Sequence, residues 1–205
     1  MPSLPDLLTA RAPRNGTYLT VCVDGRGGSG KTTLGELLRG SLPGWTVVHG
    51  DDYFEPHDDP VTWGGFNEER FEGDVLRHVR AGDRTIPWRP YDFPRGAVGA
   101  EQRLTVGPGL LLERWLGLAL DVPWDVTIWV DTPAATCLAR GLARDGGQAL
   151  GERARLAWET VWQPREEQHI RDVDPLCTAD LVVDGTVPFG PQLGLGEPGP
   201  PAQRA

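Results

Sequence analysis

The chain contains a single lysine, Lys31, although every other basic residue is arginine. It lies in the stretch GRGGSGKT (25–32), where Gly25, Gly30, Lys31 and Thr32 fit the pattern G-x-x-x-x-G-K-[S/T]. Glycines at this spacing let backbone N–H groups converge on phosphate oxygens, and a compact ammonium on a flexible stem reaches the outer phosphates. The hydroxyl that follows suits Mg²⁺. The stretch therefore predicts a site for Mg²⁺ and the phosphates of a nucleoside triphosphate.

The context of this loop supports the same interpretation. The apolar run TYLTVCVD (17–24) precedes it and predicts a buried strand, and KTTLGELLRGSL (31–42) follows it with leucines at helical spacing. The start of that helix adds the positive end of its dipole. A glycine turn with a solvated lysine is the alternative, but it does not explain why only this position avoids arginine. The residues expected to bind the nucleotide are Gly25, Gly27, Gly28, Ser29, Gly30, Lys31, Thr32 and Thr33.

Two further groups of charged residues could act on a bound triphosphate. Asp51 and Asp52 follow a strand candidate at 45–50, and either could orient and deprotonate an acceptor hydroxyl, although both could instead cap a loop. Arg140 and Arg144 lie four residues apart on a predicted helix at 132–147 and therefore share one face. They could close over the triphosphate and stabilise the transferring phosphoryl group, or they could form a solvated face.

The elements that must position these residues alternate between strands and helices. Further strands are predicted at 109–113, 126–131 and 179–185; further helices at 67–82, capped by Asn67, and at about 150–170, interrupted by Pro164. Residues 83–108 are predicted as a loop or hairpin. This order favours a parallel sheet covered on both faces. The predicted organisation is an N-terminal segment (1–16), one nucleotide-binding domain (17–187) and a disordered Gly/Pro-rich tail (188–205).

Composition narrows the classes of partner. The net charge of −9 and the pI of about 4.9 argue against nucleic acid and anionic membranes, which need a basic face. No run approaches 18 apolar residues, so we expect no membrane span. The three cysteines, Cys22, Cys137 and Cys177, are far apart and favour reduced thiols in a cytoplasmic protein.

The sequence resembles the uridine–cytidine kinase group of P-loop kinases, which is related to phosphoribulokinase and bacterial pantothenate kinase. The resemblance covers about 24 to 185, and its segments occur in order: VDGRGGSGKTTL, DDYF (51–54), RPYDF (89–93), LLLE (110–113), IWVDTPAATCLARGLARD (128–145) and ADLVVDG (179–185). It implies the α/β fold of P-loop NTPases, with a parallel sheet of about five strands, helices on both faces and a lid helix.

The resemblance also implies roles for individual residues. Asp51, the first acid of the D-x-[FY]-[FY] motif, is expected to be the catalytic base, and Arg140 and Arg144 are expected to contact phosphates. Glu113 is expected near Mg²⁺ together with Thr32. The residues expected to line the acceptor site are Tyr53, Phe54, Tyr91, Phe93 and Arg95.

This chain departs from the family on the acceptor side. Pro94, Arg95 and Gly96 stand where nucleoside kinases usually have a histidine, and Arg114 follows Glu113 where they usually have glycine. The aspartate that binds the ribose hydroxyls has no clean equivalent, with Asn67, Glu68 and Glu69 as nearby candidates. The phosphate-binding residues, in contrast, match the family.

The sequence therefore predicts an ATP- and Mg²⁺-dependent kinase that phosphorylates a hydroxyl of a small metabolite, first of all a nucleoside. A nucleotide, a sugar phosphate, a pantothenate-like vitamin or an antibiotic hydroxyl is the alternative acceptor. A nucleotide-dependent regulator is the remaining alternative, but the guanine-reading motif N-K-x-D is impossible here because the only lysine is Lys31. Related kinases often form oligomers, so a homo-oligomer is a further expectation.

Overall fold

The computed structural model describes residues 3–58, 61–62, 64–145 and 151–194. The strands are β1 (Leu19–Gly25), β2 (Thr46–His49), β3 (Phe54–Pro56), β4 (Gly64–Phe66), β5 (Thr85–Trp88), β6 (Tyr91–Asp92), β7 (Ala97–Val98), β8 (Gln102–Thr105), β9 (Gly109–Glu113), β10 (Val126–Asp131) and β11 (Leu181–Asp184). The α-helices are α1 (Leu4–Thr9), α2 (Lys31–Ser41), α3 (Glu68–Phe71), α4 (Arg77–Ala81), α5 (Ala134–Asp145), α6 (Gly151–Ala157), α7 (Gln163–Val173), α8 (Pro175–Thr178) and α9 (Phe189–Leu193).

The central sheet has five parallel strands in the order β11-β10-β1-β9-β2. β1 lies in the middle, and the chain leaves it first toward β2 and later returns to its other side through β10. The strand order thus reverses at β1, and ligands of open parallel sheets bind at the carboxyl end of such a position. The predicted parallel sheet of about five strands is confirmed.

Both faces of the sheet are covered, which explains why every residue of β1 is buried. On one face, Leu34 and Leu38 of α2 belong to the same apolar cluster as Val21. On the other face, Cys22 belongs to a cluster with Phe71 from the helical segment that starts at α3. The two clusters fix α2, and with it the loop before it, against the centre of the sheet.

The predicted helix at 67–82 is present, with a wider turn inside it. Asn67 caps it by accepting a hydrogen bond from the Arg70 N–H at 2.7 Å, and Gly82 ends it in the left-handed region at φ 71°. Between α3 and α4, a π-helical segment spans Glu72–Leu76. Its periodicity is too close to that of an α-helix for the sequence pattern to have revealed it.

Residues 83–108 form an antiparallel hairpin, in which β5 pairs with β8 and β6 pairs with β7. The helix predicted at about 150–170 extends from α6 to α7, and a π-helical segment (Trp158–Trp162) precedes Pro164. Pro164 has no backbone N–H and cannot donate a hydrogen bond to the carbonyl oxygen four residues earlier, so the helix widens before it instead of continuing regularly.

The ends of the described chain pack on the domain. Leu4 and Leu8 of α1 lie in the same apolar cluster as Phe189 of α9. The tail was predicted to be disordered from 188, but residues 189–193 form α9 because Phe189 is buried in this cluster. The rest of the predicted tail, 195–205, lies outside the described residues. Among the helices that the structure describes, none is both long and apolar enough to cross a bilayer.

Candidate active site

The loop between β1 and α2 has the curled backbone that the sequence predicts. Gly25, Gly28 and Gly30 all have positive φ, at 157°, 76° and 110°. A Cβ at Gly25 would lie 2.7 Å from the Ser29 Oγ, and one at Gly28 would lie 2.6 Å from the Cys137 carbonyl oxygen. Only glycine therefore fits these two positions, and the loop stays narrow enough to surround phosphate groups.

Lys31 is the first residue of α2 and is nearly buried. Its Nζ donates to the carbonyl oxygens of Gly25, at 3.0 Å, and Arg26, at 2.9 Å. The ammonium thus lies across the loop, held by carbonyls of the loop itself. A flexible side chain in this position can turn toward phosphate oxygens without moving the helix.

A cleft of about 740 Å³ opens over this loop. It is lined by residues from the loop, from the ends of β2 and β9, from α5 and from the segment after β11. The predicted residues that line it are Gly27, Gly28, Gly30, Lys31, Thr32, Thr33, Asp51, Glu113, Arg140 and Arg144. Gly25 and Ser29 also belong to the loop, but they are buried and do not line the cleft, so they shape the site only through their backbone. The fold thus brings distant parts of the sequence to one edge of the sheet.

The two predicted magnesium ligands lie together. The Thr32 hydroxyl donates to the Glu113 Oε2 at 3.2 Å, and the His49 Nδ1 lies 3.1 Å from the same oxygen. Burial alone would raise the pKa of Glu113, but the hydrogen bond from His49 and the charge of Lys31 lower it overall. An ionised carboxylate and a hydroxyl beside the phosphate loop fit Mg²⁺, which takes few protein ligands and completes its shell with phosphates and water. Among the described residues, no group of three or more His, Cys, Asp or Glu side chains is arranged to hold a metal ion, at this site or at any other.

The turn Gly50–Tyr53 separates the two candidate bases. It is a 3₁₀ turn, in which residues three apart point the same way. Asp51 is exposed and lines the cleft, whereas Asp52 is buried and accepts a hydrogen bond from the Trp88 Nε1 at 3.0 Å. This placement favours Asp51 as the residue that can meet an acceptor.

The arginines of α5 both reach the cleft. The Arg140 Nη1 donates to the Gly185 carbonyl at 3.0 Å. Hydrogen bonds to Asp145 raise the pKa of Arg144, and the charges of Asp51 and Glu113 raise it further. Arg144 therefore lies near both carboxylates of the cleft.

The acceptor side differs from what the sequence predicts. Tyr53 is not a wall of the cleft: it is fully buried and packs edge-on against Phe71, with ring centroids 5.0 Å apart. The 3₁₀ turn explains this, because it turns Tyr53 inward as it turns Asp51 outward. The structure therefore places Tyr53 outside the described lining of the cleft.

Three other predicted aromatic residues form a cluster of their own. Phe54, Tyr91 and Phe93 lie with ring centroids 5.0–5.3 Å apart. They stand outside the described lining of the cleft, and Phe93 is 52% exposed. Arg95 is also outside it, largely exposed and paired with Asp92 at 3.4 Å.

Sequence reasoning missed several residues of the cleft. Glu166 of α7 is buried and accepts a hydrogen bond from the Gly27 N–H at 2.6 Å. Trp158 packs where a Cβ at Gly27 or Gly141 would collide with its ring, at 2.6 and 2.3 Å. The segment Thr186–Gly190 lines the opposite wall. These contacts join elements far apart in sequence, so no local pattern could have predicted them.

Comparison with solved structures shows the class of fold. The chain matches a structure described as a possible uridine kinase from Bacillus stearothermophilus, with a TM-score of 0.61 and 16% identity over 88% of this chain and 97% of that one. It also matches a candidate fructose transport system kinase from Silicibacter sp. TM1040, with a TM-score of 0.60 and 24% identity over 89% of this chain and 99% of that one. No protein-family model and no curated protein matches the sequence.

The chain therefore has the α/β fold of P-loop kinases, as the sequence predicted. At these identities the comparisons establish the fold alone. What the cleft does must be argued from its own residues.

Proposed function

We propose that this protein is an ATP- and Mg²⁺-dependent kinase that transfers the γ-phosphate to a hydroxyl of a small metabolite in the cytoplasm. The observation that carries the proposal is the single cleft that joins the phosphate loop to one exposed carboxylate, Asp51, and two arginines, Arg140 and Arg144. Phosphoryl transfer requires little more than positioning and charge stabilisation, and these residue types supply both.

The loop and its surroundings fit a nucleoside triphosphate. Backbone N–H groups at 28–32 and the start of α2 would hold the phosphates, and the Lys31 ammonium would exchange its carbonyl partners for phosphate oxygens. Thr32 and Glu113 would hold Mg²⁺, which neutralises charge on the phosphates when it is bound. Trp158 and Glu166 fix the back of the loop.

The remaining residues would act on the acceptor. Asp51 would orient the hydroxyl and take its proton as the oxygen attacks phosphorus. Arg140 and Arg144 would stabilise the phosphoryl group during transfer and exclude water. Both lie on α5, whose position over the cleft suits a lid.

A nucleoside remains our first candidate acceptor because the sequence resembles the uridine–cytidine kinases. The strand β6 contacts the turn that holds Asp51, so the aromatic cluster of Phe54, Tyr91 and Phe93 lies on the acceptor side. Aromatic faces of this kind can stack on a planar base. A regulator is less favoured, because the cleft contains a candidate base that nucleotide binding alone does not need.

The test measures ATP binding and turnover in purified protein. We expect calorimetry to detect Mg·ATP binding, and a coupled assay for ADP to detect turnover with one member of a panel of small alcohols. Lys31→Ala should lower kcat/KM roughly 10²- to 10³-fold, as loss of one preorganised charge does. The control is Arg80→Ala, since Arg80 is exposed and pairs with Glu72 away from the cleft. A folded wild-type protein with no Mg·ATP affinity, or full turnover by Lys31→Ala, would refute the proposal.

A further inference from the structure

Arg114 is a buried cation in the wall of the cleft. It follows Glu113 at the end of β9, and only 6% of its side chain is exposed. Its guanidinium lies over the Phe66 ring, 3.7 Å from the centroid, and the residue lines the cleft. Burying a full charge is costly unless hydrogen-bonding partners compensate it.

The partners that the described residues give to Arg114 are incomplete. Its Nη2 donates to the Glu68 Oε1 at 2.8 Å, but its buried Nε and Nη1 have no hydrogen-bond partner in the described part of the chain. Glu68 is also a weak partner, because 69% of its side chain is in solvent.

The same protein contains an arginine pair that is complete. Arg89 donates through both Nε and Nη2 to the two oxygens of Asp74, at 2.9 and 2.5 Å. Only 4% of the Asp74 side chain is exposed. Such a bidentate pair with a buried carboxylate is what a purely structural arginine forms. Arg114 lacks it, although its burial is greater than that of Arg89.

Arg114 also packs against the turn that carries the proposed base, and both residues line the cleft. A Cβ at Gly50 would be only 2.8 Å from the Arg114 Cγ, so the arginine packs against the residue that precedes Asp51. Glycine at 50 makes room for this side chain. An acceptor whose hydroxyl is beside Asp51 therefore has its neighbouring groups within reach of this corner of the cleft.

We propose that the acceptor carries an anionic group, a phosphate or a carboxylate, which pairs with Arg114 in place of Glu68; this places an anionic acceptor, such as a nucleotide, ahead of the neutral nucleoside that the sequence resemblance favours. The planar guanidinium fork matches both anions, and an exposed carboxylate such as Glu68 is easily displaced. This inference rests on the proposed kinase function. In the transfer, the acceptor oxygen bonds to the γ-phosphorus, the bond to the β–γ bridging oxygen breaks, ADP leaves and the proton passes to Asp51; the anionic group is unchanged.

The experiment compares related acceptors that differ in the presence of one anionic group. The pairs are ribose with its phosphate and uridine with its monophosphate for the phosphate arm, and glycerol with glycerate and pantothenol with pantothenate for the carboxylate arm. With wild-type protein we expect kcat/KM to be at least about 10-fold higher for the anionic member of one arm, since hydrogen bonds to charged groups reach roughly 10- to 150-fold. A neutral member that equals or exceeds its partner in every pair overturns the inference without any variant.

Variants then locate the effect. Arg114→Gln should lower the preference for the anionic member roughly 10- to 150-fold, and Arg114→Lys should restore part of it. Glu68→Gln should lower KM for the anionic acceptor because it removes a competing carboxylate. If Arg114 serves only the fold, Glu68→Gln will reduce thermal stability and leave the preference unchanged, which would also overturn the inference.

The failure of this inference can be distinguished from the failure of the proposed function. Arg80→Gln is the matched control, an arginine removed from an exposed pair away from the cleft, and should leave turnover unchanged. Wild-type protein that turns over no acceptor of either kind refutes the kinase function itself. Turnover of neutral alcohols without a charge preference keeps the kinase function and refutes only the role of Arg114.

Discussion

The assignment of Asp51 as the base can be tested against Asp52, its neighbour in sequence. Asp51→Asn and Asp52→Asn make the same small change, the loss of one carboxylate charge, at adjacent positions. The structure places the first side chain in the cleft and the second in the interior, hydrogen-bonded to the Trp88 Nε1 at 3.0 Å. The two variants should therefore fail in different ways.

The magnitudes follow from these environments. Asp51→Asn removes the group that accepts the proton, so kcat should fall about 10²- to 10⁴-fold, and stability should change by no more than about 0.5 kcal/mol because the residue is exposed. Asp52→Asn weakens a buried, charge-assisted hydrogen bond. We expect it to reduce the free energy of unfolding by roughly 1 kcal/mol and to have a much smaller effect on kcat.

The assay combines ADP-coupled kinetics, calorimetry of Mg·ATP and urea unfolding for the wild type and both variants. Asp51→Asn should bind Mg·ATP at least as tightly as the wild type, because the variant loses a negative charge near Arg144. A large loss of kcat in Asp52→Asn with near-normal turnover in Asp51→Asn would assign the base to Asp52. Full turnover in both variants would refute a carboxylate base at this turn.

Two further substitutions test the packing around the site. Burial raises the pKa of Glu166, whose Oε1 accepts a hydrogen bond from the Gly27 N–H, so the ionised carboxylate destabilises the fold at high pH. Glu166→Gln should therefore be more stable than the wild type in urea unfolding at pH 8. This gain in stability should shrink as the pH falls through the raised pKa. A gain that is equal at pH 5 and pH 8 would contradict this origin. Gly50→Ala places a methyl 2.8 Å from the Arg114 Cγ and should cost about 1–3 kcal/mol in thermal or urea unfolding, whereas the same substitution in an Arg114→Gly background should cost much less. Additive losses in the double variant would show that the two positions are independent.

The sequence predicted the phosphate side of the site because that side depends on local structure. The glycines at 25, 28 and 30 impose their own backbone, and the buried strand before them and the leucine spacing after them require nothing distant. The parallel sheet followed from the alternation of strands and helices. Its strand order and the roles of individual side chains on the acceptor side did not follow in the same way.

Tyr53 shows why the acceptor side was less predictable. The resemblance predicted that both aromatic residues of DDYF, Tyr53 and Phe54, line the acceptor site. A 3₁₀ turn has about three residues per turn, so neighbouring side chains point in different directions, and Tyr53 turns into the interior while Asp51 faces the cleft. Nothing in the four letters distinguishes this turn from an extended segment, and the buried partner Phe71 comes from a helix that begins 15 residues later.

The packing of Trp158 depends on residues from segments that are far apart in the sequence. Its ring fills the space left by two glycines, Gly27 in the phosphate loop and Gly141 in α5, and its Nε1 donates to Asp145 at 3.0 Å. In the sequence Gly27 is explained by phosphate binding alone, and Gly141 is only an unfavourable residue within a helix. Together they let one indole contact both the loop and the helix that carries Arg144. The position of α5 relative to the loop therefore depends on Trp158, which contacts both.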